Sequence, residues 1–272
     1  MNTNIESGFF LNKIPYVKHW TENSKKTLVI LPGAINLLYW LSDPNENATN
    51  NRLFVPEEYI LYVLGYDKDL PSNHTFDKMV EEYATILKDN IGPATILATS
   101  YGGNLAIPLS AQYPELVEKL LLVTSAHSFS DDGVKFLNQT ISVSEKGNMK
   151  HVINQLLRLN NKILYKILLR LFLKKQKEIY TNHYPVTTIK NAMTNLVATK
   201  DDRKKYLPQI QAPTLVIGGT KDKVISEELY RETAELIPNG KVKIFDGAGH
   251  MVTVVKAMEV KKVIFDFLLN DN

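Results

Sequence analysis

The stretch Ala94-Thr-Ile-Leu-Ala-Thr-Ser100-Tyr-Gly-Gly103-Asn-Leu-Ala-Ile-Pro108 decides how this chain is read. A short apolar run carrying the β-branched Thr95 and Ile96 stops at a serine, meets two glycines, and continues with helical spacing through Leu105, Ala106 and Leu109. The reading is strand, sharp turn, helix. So tight a turn puts the serine in a strained backbone conformation, and the positions around it must be small for strand and helix to approach. Ala98 and Gly102 lie two residues either side of Ser100, and Gly103 follows. A serine that merely caps a helix N-terminus is the plainer alternative.

Working outward, the same rhythm repeats on both sides. Residues 8–20 read as short strands around a turn, Thr27–Leu31 and Glu58–Gly65 as buried strands, and Thr75–Lys88 as a helix with Phe76, Met79, Val80, Tyr83 and Leu87 on one face. Leu37–Leu41 reads as an apolar helical turn and Asp43–Asn51 as a polar loop. After the elbow come strands at Lys119–Thr124, Ala212–Gly219 and Lys241–Phe245, with helices at Glu227–Leu236 and Val254–Leu269. Strands alternating with helices predict right-handed crossovers and a mostly parallel α/β sheet flanked by helices. The rhythm breaks from about Ser128 to Pro208, where helical stretches prevail. The expected organisation is therefore a core of residues 1–127 and 209–272, with 128–208 inserted as a helical cap.

The elbow is the pattern G-x-S-x-G with Ala98 in place of its first glycine, and set between a strand and a helix it resembles the α/β-hydrolase family, of the serine esterase and lipase type. Two further segments follow in that family's chain order of serine, acid, histidine: Gly218-Gly-Thr-Lys-Asp222-Lys-Val-Ile225 and Phe245-Asp-Gly-Ala-Gly-His250-Met-Val. The resemblance implies Ser100 as nucleophile, His250 as general base and Asp222 as the triad acid, with Asp246 a weaker rival for that last role. It also implies that Pro32-Gly33-Ala34-Ile35-Asn36 supplies one backbone N–H of an oxyanion hole, from Ala34, with Tyr101 giving the other. Pro32 stands where the family usually has histidine, so the loop's side-chain hydrogen bonds are open. Asn36 in this loop and His127, just past a strand end, are candidate substrate contacts.

The chemistry follows from what each group can do. A serine hydroxyl is a poor nucleophile at neutral pH and needs a base within hydrogen-bond reach, which neutral imidazole supplies. A carboxylate on the other ring nitrogen fixes the tautomer, and backbone N–H groups receive the charge that develops on the carbonyl oxygen. The expected activity is hydrolysis of a carboxylic ester, thioester or lactone of a small to medium apolar substrate through an acyl-enzyme. Carbon–carbon bond hydrolysis or a lyase reaction on the same fold, and a non-catalytic ligand-binding homologue, are the alternatives. Dehalogenase and epoxide hydrolase chemistry is disfavoured, because those relatives carry aspartate at the position of Ser100.

Composition bounds the rest. The chain has 272 residues, 44% hydrophobic and 22% charged, with a formal net charge of +3, too small to argue for nucleic acid. There is no cysteine, which excludes disulfides and thiolate chemistry. His19, His74, His127, His151 and His183 lack metal-ligand spacing, so neither a metal nor another cofactor is expected. The first ten residues lack a basic start and an apolar core, and cytoplasmic residence is the default expectation. Lys150, Arg158, Lys162, Lys166, Arg170, Lys174 and Lys175 crowd the insertion among apolar residues. A solvated face on a packed helix is favoured there over contact with a membrane surface.

Overall fold

The computed structural model describes residues 3–38, 51–159 and 184–269. Apolar, β-branched runs form one eight-stranded sheet from β1 (Asn4–Phe10), β2 (Ile14–Trp20), β3 (Lys26–Leu31), β4 (Tyr59–Leu64), β5 (Ala94–Thr99), β6 (Val117–Val123), β7 (Thr214–Gly219) and β8 (Gly240–Phe245). Their spatial order is β1-β2-β4-β3-β5-β6-β7-β8. Strands β1 and β2 form an antiparallel hairpin, β2 pairs antiparallel with β4, and every other neighbour is parallel. The hairpin turns through Leu11 and Asn12, both at positive φ. The sheet is thus parallel where crossover helices cover both faces, and antiparallel at the edge that a three-residue turn can build.

Strands β3, β5 and β6 carry continuous apolar runs because both faces are covered. One face packs α1 (Phe76–Ile86) and α2 (Gly103–Gln112) through Met79, Val80, Tyr83, Leu105 and Leu109. The other packs α7 (Ala257–Leu269) through Val260, Ile264 and Leu268 against Leu28, Leu97 and Leu121. The helix expected at Thr75–Lys88 starts at a Thr75 cap, whose side chain accepts from the Lys78 N–H, and runs on as a wider turn to Ile91, ended by Gly92 at φ +93°.

Between β6 and β7 the described chain is helical: α3 (Asp131–Glu145), α4 (Met149–Leu156), α5 (Val186–Ala198) and a 3₁₀ stretch, Asp202–Gln209. These elements dock on loops that follow the strands. Ser130 Oγ donates to the Lys223 carbonyl after β7, while Thr188 Oγ1 and Asn191 Nδ2 donate to the Lys68 and Leu70 carbonyls after β4. These helices therefore lie over the carboxyl ends of β4 and β7, where loops gather. On α4, Val152, Ile153 and Leu156 are buried, while Lys150 and the following Arg158 are exposed. The rest of the basic segment, from Lys162 to Lys175, lies outside the described residues, as do Tyr39–Leu41 of the apolar turn and 43–50 of the polar loop. Among the described residues, no helix is long and apolar enough to cross a membrane. Helix α6 (Glu227–Glu235) follows β7 and begins at a Ser226 cap.

Candidate active site

Strand β5 ends at Thr99, and Ser100 takes φ +49°, the left-handed conformation a serine adopts only under strain. Two glycines make that turn buildable. A Cβ on Gly102 would stand 2.1 Å from the Leu31 carbonyl oxygen, and one on Gly103 2.3 Å from the Ser125 Cβ. With hydrogens there instead, α2 starts directly against β3. The Ser100 carbonyl accepts from Asn104 Nδ2 at 3.2 Å and from Ser125 Oγ at 3.1 Å, which holds the strained residue from both sides.

The loops after β7 and β8 carry the other two groups and are laced together. Lys221 N–H donates to the Ala248 carbonyl at 2.8 Å and Thr220 N–H to the Phe245 carbonyl at 3.2 Å, and Gly219 leaves no room for a Cβ beside Ala248. This lacing brings three distant side chains into one line. Ser100 Oγ lies 2.9 Å from His250 Nε2, and His250 Nδ1 lies 2.8 Å from Asp222 Oδ2. Asp222 and His250 are buried, whereas Ser100 is partly open. Asp246 is turned away: its Oδ1 accepts from Thr220 Oγ1 at 3.1 Å.

Every acceptor position on Asp222 is used. Oδ1 accepts from the Val224 N–H at 2.8 Å and the Ile225 N–H at 3.3 Å, and Oδ2 accepts from Tyr230 Oη at 2.6 Å besides the imidazole. Burial alone pushes this carboxyl's pKa up, but the His250 charge and hydrogen bond, with the Tyr230 and Val224 donors, hold it below the ordinary aspartate value. Tyr230 in turn is pushed well above its ordinary value, first by burial and then by the Asp222 charge, so it stays a donor. Sequence reading missed Tyr230. Its one trace in the sequence is Gly218, where a Cβ would stand 2.2 Å from the Tyr230 ring.

Replacing Tyr230 by Phe keeps the ring and removes one donor to a buried carboxylate, an expected loss of about 1.5–3 kcal/mol at neutral pH. Because the folded-state pKa of Asp222 is depressed, that difference is fully present above the unfolded value of 3.8 and shrinks as pH falls through the folded value. Urea unfolding of both proteins at pH 7 and pH 3 checks it; equal stabilities at pH 7 would contradict the assignment.

The loop after β3 approaches the serine from the opposite side. Gly33 heads a 3₁₀ turn, Ala34–Leu37, and its Cβ position lies 3.5 Å from the Ser100 Cβ. Ala34 opens one short helical turn and Tyr101 is the second residue of another, Ser100–Gly102, at ends where N–H groups lack intrahelical acceptors. Pro32 offers no side-chain hydrogen bond; instead its carbonyl accepts from the Tyr66 hydroxyl. The Tyr66 ring also packs edge-on against Tyr101, with centroids 5.2 Å apart. Asn36 sits half-buried in the same turn.

His127 packs against α6. Its Nδ1 lies 2.9 Å from Thr233 Oγ1 and its Nε2 3.5 Å from Glu232, both on α6, and its carbonyl accepts from the buried Arg203 at 3.2 Å. Both ring nitrogens thus face that helix. A cavity of about 250 Å³ opens beside His250 and Asp222, walled by Phe136, Leu159 and Val224 together with the charged Asp132, Lys135, Arg158 and Lys223.

An elbow serine, an aspartate and a histidine on the loops after β5, β7 and β8, at the carboxyl edge of a mostly parallel sheet, define the class. The chain belongs to the alpha/beta hydrolase fold family, whose sequence profile matches residues 59–257. It is similar to the monoacylglycerol lipase ABHD6 of Bos taurus, 24% identical over 203 residues, covering 70% of this chain and 59% of that protein. It is also similar to the sn-1-specific diacylglycerol lipase ABHD11 of Danio rerio, 24% identical over 207 residues, covering 71% of this chain and 63% of that one. In both cases the match spans less than two thirds of the relative's length. Among solved structures, an alpha/beta hydrolase enzyme from a Medee basin deep-sea metagenome library superposes with a TM-score of 0.78 at 18% identity, covering 98% of each chain.

Proposed function

We propose that this protein is a serine hydrolase that cleaves a carboxylic ester, thioester or lactone through an acyl-enzyme on Ser100. The observation that carries the reading is the unbroken line Ser100 Oγ, His250, Asp222, with contacts of 2.9 and 2.8 Å. His250 takes the serine proton as Oγ attacks the carbonyl carbon and returns it to the departing oxygen or sulfur. Asp222 keeps the ring nitrogen facing it protonated and stabilises the imidazolium as it forms. The N–H groups of Ala34 and Tyr101 receive the carbonyl oxygen as it gains charge. Water activated by His250 then releases the acyl group. The lipase names of the two relatives support an ester bond in a substrate with an apolar body.

A fluorophosphonate probe is expected to label the purified protein once, at Ser100, and to leave Ser100→Ala unlabelled, as read by mass spectrometry of the modified peptide. A wild type that resists the probe while folded would overturn the reading.

A further inference from the structure

The cavity beside His250 has a charge pattern that ester hydrolysis by itself does not require. Its two carboxylates are already engaged: Asp222 is held by the imidazole and Tyr230, and Asp132 lies 3.5 Å from Lys135. Arg158 and Lys223 line the same space, and among the described residues neither is paired with a carboxylate. Phe136, Leu159 and Val224 form the apolar part of the wall. A second cavity of about 380 Å³ shares Gln139 and Arg158 with the first; Lys146 and His151 line it and no carboxylate does. Arg158 therefore stands at the boundary of two spaces that both lack a free negative charge.

We propose that the cavity beside His250 receives an anionic group, carboxylate or phosphate, carried by the leaving half of the substrate, with Arg158 as its counter-ion. The proposal rests on the catalytic reading above. In acyl transfer the histidine hands its proton to the departing atom, so the half of the substrate lying along His250 is the half that leaves. A planar guanidinium offers two parallel N–H donors to such an oxyanion, which fixes orientation as well as charge. The substrate class is then an ester whose acyl part is apolar and whose alcohol part bears an acid.

The test uses the whole 272-residue chain and the rate at which a fluorophosphonate labels Ser100. 4-Hydroxybenzoate and its methyl ester serve as competitors of nearly equal shape, and phenyl phosphate separates a phosphate preference from a carboxylate one. In the wild type, the acid or phenyl phosphate is expected to slow labelling at concentrations about tenfold lower than the methyl ester. Arg158→Gln is expected to bring the competitors within about twofold of one another, with Arg158→Lys intermediate. Equal protection by acid and ester in the wild type, or an advantage of the anions that survives Arg158→Gln, overturns the proposal. So does a result in which Arg158→Gln weakens sedimentation with phosphatidylglycerol vesicles and leaves protection unchanged, since the arginine would then serve a lipid surface. If the probe fails to label Ser100 at all, the catalytic reading falls and takes this one with it; if it labels but the anions give no selective protection, only this one falls.

Discussion

Asp222→Asn is expected to lower kcat for ester hydrolysis by about 10,000-fold while the fold persists. The reason lies in the donors around the carboxylate. Oδ1 faces the N–H groups of Val224 and Ile225, so an amide oxygen must take that side and its NH₂ the other. The amide then donates to the His250 nitrogen at which Asp222 accepts, and the imidazole is forced to carry its proton on Nε2, facing Ser100. A ring protonated there cannot accept the serine proton. Steady-state assays with a p-nitrophenyl ester measure the loss, and Asp246→Asn is the control, since Asp246 bonds to Thr220 and not to the ring. A loss of less than about tenfold would remove Asp222 from the proposed mechanism.

Gly102→Ala is expected to cost about 3–5 kcal/mol of stability, a large effect for one methyl group. The new carbon would lie 2.1 Å from the Leu31 oxygen and 2.6 Å from the Leu31 carbonyl carbon. These are backbone atoms of a central strand held by ladders on both sides, so neither can yield by a side-chain rotation. The start of α2 must back away instead, and Ser100 moves with it. Urea unfolding should report the lost stability, and fluorophosphonate labelling should slow in the fraction that remains folded. A variant as stable as the wild type would mean that the turn tolerates a wider approach.

How much of this was legible in the sequence depends on how local each constraint is. Ser100, Gly102 and Gly103 were readable because strand, turn and helix impose size limits at fixed offsets within five residues. Asp222 and His250 were readable as polar residues in glycine-punctuated loops just past buried strands. Tyr230 and Tyr66 were not, because their hydroxyls reach partners 8 and 34 residues away, beyond any fixed local spacing. The surroundings of His127 were hidden for a related reason. The sequence places it past a strand end but does not say which way the chain then turns. Thr124 takes φ +47°, Ser125 meets the elbow, and the His127 ring reaches α6 instead. The antiparallel edge was likewise hidden: residues 8–20 read as strands around a turn, but their place beside β4 is set by long-range pairing.

Tyr66 has a consequence for how the pocket behaves before anything enters it. One tyrosine grips the Pro32 carbonyl with its hydroxyl and braces Tyr101 with its ring, so the two loops proposed to cradle the oxyanion share a common strut. Their spacing is braced from within the fold, by a side chain that lies behind both loops.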